Sequence, residues 1–118
     1  MAQTFSKALL SGSTQGKPIS VTGANSGAAV TVHTAVAGTT HFDEVYVYAT
    51  NVHTAAVTLT IEFGGTDENE HIMASINPNE TVLVIPGLPI HNGLVVKAFA
   101  SVANEINVAG YVNKITVS

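Results

Sequence analysis

Apolar and polar residues alternate along most of this chain with a period of two. The clearest run is "AAVTLTIEF" (55–63), where Val57, Leu59, Ile61 and Phe63 share one side and Thr58, Thr60 and Glu62 the other. Successive side chains of a strand point to opposite faces, so the run predicts a half-buried β-strand. "FDEVYVYAT" (42–50) repeats the pattern, with Val45, Val47 and Ala49 opposite Tyr46, Tyr48 and Thr50. Both of its sides are bulky, which predicts a central strand or tyrosines that meet a neighbouring subunit. Further strands are predicted at "PISVT" (18–22), "AVTVHTAV" (29–36), "HIMAS" (71–75), "TVLVI" (81–85), "LVVKAFA" (94–100) and "EINVAGYVNKITV" (105–117). Turn chemistry separates them: "GANSGA", "AGTTH", "GGTDENE", "NPNE", "PGLP" and "ANE". No stretch carries a helical period.

About eight short, regularly spaced strands predict an all-β fold, a single β-sandwich. A jelly roll of antiparallel strands leads, because two packed four-stranded sheets hide most of their edges. An immunoglobulin-like sandwich is the alternative. The sandwich is expected over 18–118, preceded by an N-terminal arm over 1–17. The arm's main apolar groups are Phe5, Leu9 and Leu10, too few for a domain, and it is expected to order only against a neighbour. Gly110 interrupts the last run, which predicts a bulge or a close backbone approach.

The 118 residues fit one domain. Apolar residues make up 46% and charged residues 10%, against a usual ~25% for charge. The chain therefore covers itself with Thr, Ser, Asn and Ala rather than with charge. A net charge of −4 with no Arg lacks the basic stripe of a nucleic-acid binder, so no direct nucleic-acid partner is expected. With no Cys, disulfides and thiolate metal sites are excluded. The opening "MAQTFSKALLSGSTQ" has an apolar run of only Ala8, Leu9 and Leu10, so neither a secretion leader nor a membrane association is expected.

Candidate chemistry is thin. "SGSTQGKPIS" (11–20) suggests a phosphate loop, but Gly12 and Gly16 are one residue too close, Pro18 replaces the hydroxyl residue after Lys17, and a strand follows in place of a helix. His33, His41, His53, His71 and His91 show no metal-ligand spacing and are expected to be isolated surface or loop imidazoles. Asp67, Glu68 and Glu70 lack calcium-loop spacing and predict a solvated hairpin tip. Asp43, Glu44, Glu62, Glu80 and Glu105 sit singly, and no G-x-S-x-G occurs. The reading is a non-enzymatic protein without cofactor or metal. Tyr46, Tyr48 and Tyr111 lie in strands, and no Trp offers a sugar platform. A surface poor in Lys and Glu suits protein contacts.

Several segments together resemble small virion proteins of tailed bacteriophages: "FSKALLSGS", "DEV" (43–45) with its following tyrosines, "IEFGGT" (61–66), "IPGLPI" (85–90) and "LVVKAFA" (94–100). The likeness runs nearly end to end, and its motifs are structural rather than chemical. It implies a capsid decoration (cement) protein on the exterior of the virion, a homotrimer that binds the major capsid protein at threefold or quasi-threefold positions. Phe5, Leu9, Leu10, Tyr46 and Tyr48 are the candidate capsid or subunit contacts. A neck- or tail-associated adsorption protein that binds a host receptor or glycan is the alternative.

Overall fold

The computed structural model describes residues 2–118. Nine strands form two antiparallel sheets. They are β1 (Gln3–Leu9), β2 (Ile19–Ser20), β3 (Val30–Thr34), β4 (Phe42–Asn51), β5 (Val57–Phe63), β6 (His71–Ile76), β7 (Thr81–Ile90), β8 (Val95–Ala100) and β9 (Ile106–Val117). One sheet runs β1-β9-β4-β7, with β2 beside β1 on the same edge of β9; the other runs β3-β8-β5-β6. Apart from the β5–β6 hairpin and the short β1–β2 link, every connection crosses from one sheet to the other. With β1 and β2 sharing one position, this is the strand order of an eight-position jelly roll, and not that of an immunoglobulin-like sandwich.

The core between the sheets is built from short aliphatic side chains. Val45, Val47, Ala49, Ile85, Ile106, Val108 and Val112 from one sheet meet Val32, Val57, Leu59, Ile61, Val96, Ala98 and Ala100 from the other. No aromatic residue belongs to the fully buried core. β-Branched residues suit this setting, since they fit the pleat and lose little rotamer freedom there. β4 lies between β9 and β7, the central place its two bulky faces predict.

Two sequence expectations need correction. Residues 3–9 do not wait for a neighbour. They form β1, paired over seven positions from Gln3–Val117 to Leu9–Tyr111. β1 is an edge strand whose side chains are nearly all exposed, so its ordering comes from the backbone ladder and leaves little hydrophobic signature. The "PGLP" segment is likewise no turn: β7 continues through Pro86, Gly87 and Pro89. β7 is an edge, where proline's missing N–H leaves no ladder bond unmade, and its pairing with β4 shifts register twice to accommodate the segment.

Gly110 is explained by close approach. It pairs in register with Val47, and a Cβ there would fall 1.9 Å from the Tyr46 carbonyl oxygen. No rotamer change relieves an overlap with backbone. Gly110→Ala should therefore cost about 1–3 kcal/mol or more through forced displacement of β4 from β9. The check is a lowered urea midpoint at an unchanged m-value.

Candidate functional site

Two residue types familiar from hydrolases, His33 and Asp43, meet inside the sandwich, and the exposed Ser11 joins them through its backbone. In β4, Asp43 is in phase with Val45 and Val47, so it points inward; it is 1% exposed. In β3 a register shift between Thr31 and His33 turns both Val32 and His33 to the interior. His33 Nε2 then lies 2.8 Å from Asp43 Oδ2, bridging the two sheets. The backbone N–H of Ser11 donates to His33 Nδ1 at 3.0 Å. That bond leaves Nδ1 without a proton, which assigns the proton to Nε2 and makes the imidazole the donor to Asp43.

The wiring is that of a lock, not of a nucleophile and its base. The Ser11 hydroxyl does not meet the imidazole; its Oγ accepts from the Thr34 N–H at 2.7 Å. A general base must reach the proton that it removes, and here both ring nitrogens are engaged elsewhere. The Val36 N–H also donates to Asp43 Oδ2, at 3.2 Å. Among the described residues Asp43 Oδ1 has no hydrogen-bond partner and is met only by Lys114 Nζ at 3.7 Å.

The lock also fixes the glycine-rich loop. Gly12 N–H donates to the Val32 carbonyl, and a Cβ on Gly12 would sit 2.2 Å from the Thr31 carbonyl oxygen. Ser13 closes a turn onto the Leu10 carbonyl with both its N–H and its hydroxyl. Residues 11–13 are thus tied to β3 and to Leu10. Leu10 is 2% exposed and belongs to the core, which removes it from the candidate contact residues.

The other candidate contacts gather on the outer face of the five-stranded sheet. Phe5 is 63% exposed and Leu9 58%. Tyr48 is exposed beside its register partner Leu83. Tyr46 and Tyr111 pair in register and stack, with centroids 4.8 Å apart and planes 14° apart. Lys7 Nζ from β1 lies 4.6 Å from the centre of the Tyr111 ring. From β7, Gly87 meets Tyr46 so closely that a Cβ would come within 2.7 Å of its phenol. A ladder of Lys7, Tyr111, Tyr46 and Gly87 therefore crosses the sheet, its rings standing on edge and covered by their neighbours. Ile115, flanked in register by Phe5 and Phe42, is 3% exposed although it lies outside the main core.

Of the remaining histidines, His71 opens β6 with its Nε2 3.8 Å from Glu62 Oε2. His41 accepts from the Val117 N–H, His53 lies 3.6 Å from Glu105, and His91 borders an apolar pocket with Phe42, Pro89 and Ile90. His33 is the exception to the expected surface imidazoles. Among the described residues no three metal-ligating side chains converge. Asp67, Glu68 and Glu70 form the β5–β6 hairpin tip.

No protein-family model, curated protein or solved structure matches this chain. The likeness to phage virion proteins therefore rests on the sequence motifs alone.

His33→Ala should strand the Asp43 carboxylate in the interior and take the acceptor from the Ser11 N–H. The expected cost is about 3 kcal/mol, in the range for removing one partner of a buried charged hydrogen bond. Chemical denaturation measures the loss, and hydrogen exchange should show the Ser11 and Thr34 amides losing protection beyond the global change.

Proposed function

We propose that this chain is a non-enzymatic virion structural protein of a tailed bacteriophage. In this reading it is a homotrimer on the capsid exterior that stabilises the shell by binding the major capsid protein at threefold or quasi-threefold positions. The observation that carries the proposal is the outer face of the five-stranded sheet, where Phe5, Leu9, Tyr48 and Leu83 stand exposed around the Tyr46–Tyr111 stack. Contiguous exposed apolar surface on a small domain marks a contact with another macromolecule, and aromatic side chains are favoured anchors in such contacts. The sequence likeness supplies the kind of partner.

The physics of the role suits the molecule. DNA packed in a capsid loads the seams between capsomers. A rigid β-domain that bridges a seam adds contact area without altering the shell. A closed trimer presents three equal feet to a local threefold, and three modest contacts reinforce one another through effective concentration. The adsorption alternative has less support, because the ring faces of Tyr46 and Tyr111 that would stack on a sugar are covered by each other, Lys7 and Gly87.

The double variant Phe5→Asp, Leu9→Asp should keep its unfolding free energy in urea within about 1 kcal/mol of the parent, about 0.5 kcal/mol for each exposed position. It should bind purified capsid shells at least about tenfold more weakly, a loss of about 1.4 kcal/mol. Undiminished shell binding by this variant would remove the proposed face. Purified virions should carry the chain in near-stoichiometric proportion to the capsid subunit, and a handful of copies per particle would point to the neck or tail.

A further inference from the structure

The four-stranded sheet carries a second buried acid on its outer face. Glu62 is in phase with the outward Thr58 and Thr60 of β5, yet it is 1% exposed. The helical turn Ser26–Ala28 packs on the same sheet, against β8. Ser26 Oγ donates to Glu62 Oε2 at 2.6 Å. His71 Nε2 lies 3.8 Å from that same oxygen, beyond hydrogen-bond reach. Among the described residues Glu62 Oε1 has no hydrogen-bond partner.

Glu62 also lines a cavity of about 250 Å³, together with Gly64, Gly65, Thr66, Gly93 and Lys97. Lys97 is its register partner on β8. Among the described residues Lys97 makes no ion pair. The lining residue Glu62 therefore carries a solvent-excluded carboxylate oxygen with free lone pairs. Such an atom is costly when unpaired and gains most from a charged donor. The surrounding field points the same way. Glu70 lies so close to Gly65 that a Cβ there would fall 2.2 Å from its carboxylate, and Asp67 and Glu68 share that loop. Lys97 is the opposing cation on the lining.

Two observations narrow the ligand. No three His, Cys, Asp or Glu side chains among the described residues are placed to hold a metal ion, whereas a cation that carries N–H donors needs only one unpartnered acceptor. Gly93 has nothing within 4 Å of where its Cβ would be, which leaves the lining open beside it. Oε1 itself is shut off from solvent. Entry to it needs a lining side chain to move, and Lys97 is the long, flexible one.

We propose that this cavity binds an ammonium or guanidinium group, with Glu62 as its anchor and Lys97 swinging aside to admit it. The group belongs either to a free small cation or to a basic side chain of another protein. The proposal does not depend on a virion role.

The test is a two-dimensional ¹H–¹⁵N NMR titration of the full chain with methylguanidinium. Tetramethylammonium, a cation without donors, is the control, and an end-blocked Gly-Arg-Gly peptide is the second ligand. Saturable shifts are expected at Gly64, Gly65, Gly93 and Leu94 with methylguanidinium and not with tetramethylammonium. Glu62→Gln keeps an acceptor for Ser26 and the side-chain shape, and should weaken binding at least tenfold. Lys97→Ala removes the competing ammonium and should tighten it. Tighter binding of the peptide than of methylguanidinium would assign the source to a protein side chain, and the reverse order to a small cation. Absence of saturable shifts in the parent chain would overturn the proposal, as would shifts that survive Glu62→Gln. Binding seen only in Lys97→Ala would also overturn it, because Lys97 would then be the cavity's own occupant.

Discussion

A carboxylate placed between two hydrophobic sheets cannot be left alone, and much of the molecule's arrangement follows from satisfying Asp43. Removing an ionised group from water costs several kcal/mol unless partners replace the lost hydration. The chain supplies them from three directions: the His33 imidazole from the opposite sheet, the Val36 N–H from the following loop, and Lys114 from β9. Each partner imposes a further condition. His33 reaches inward only because β3 shifts register beside it. Its second nitrogen then needs a donor, which fixes Ser11 and with it the loop that leads out of β1. One buried charge thus couples both sheets to the N-terminal segment. Apolar packing alone would hold the sheets together, but it would not choose this register, since hydrophobic contact is non-directional.

This coupling changes the meaning of the N-terminal segment. With Leu10 in the core and residues 11–13 bonded to β3 and Leu10, β1 is anchored at its C-terminal end and held by its ladder to β9 along its length. Its exposed Phe5 and Leu9 are therefore presented on a fixed frame. Rigid presentation matters for binding, because a side chain already ordered loses less entropy when it is captured. A flexible arm with the same residues would have to order seven backbone positions in the act of binding, at roughly 1–2 kcal/mol each.

The sequence carried the sheets well and their edges poorly. Period-two alternation located eight strands and placed β4 centrally, because a strand packed on one side must write its inward face into every second residue. β1 and the second half of β7 escaped for a shared reason. Edge strands can be held mainly by backbone bonds, which are blind to side-chain type, so Gln3–Leu9 shows no buried stripe and Pro86–Pro89 mimics a turn. Asp43 was legible in principle, since its phase with Val45 and Val47 puts it on the core face. His33 was not, because a register shift adds a residue that alternation does not count. Glu62 was hidden differently. Its phase is that of an outward residue, and only the helical turn Ser26–Ala28 packed on that sheet, with Ser26 bonded to the carboxylate, shows that this outward position is buried.

The two buried acids make different demands, and the contrast separates structure from opportunity. Asp43 lies on the inner face and has drawn in partners from both sheets and from the loop after β3; moving it would disturb all of them. Glu62 lies on an outer face, with one short hydrogen bond from a serine in a three-residue helical turn. Its other oxygen has no hydrogen-bond partner among the described residues, and Glu62 lines a cavity beside Gly93, where a side chain would have met open space. A carboxylate needed only for stability would be expected to draw partners from several elements, as Asp43 does, or to be replaced by an apolar residue, which is often the more stable choice. At Glu62 the chain retains the acid and leaves the neighbouring volume open. The aromatic face of the other sheet shows the same economy: its rings are supported from beside and below, and their exposed edges and the flanking Phe5 and Leu9 are left unpaired. The sandwich thus spends its rigid interior on shape and keeps its unmatched groups on the two outer faces, where a partner can reach them.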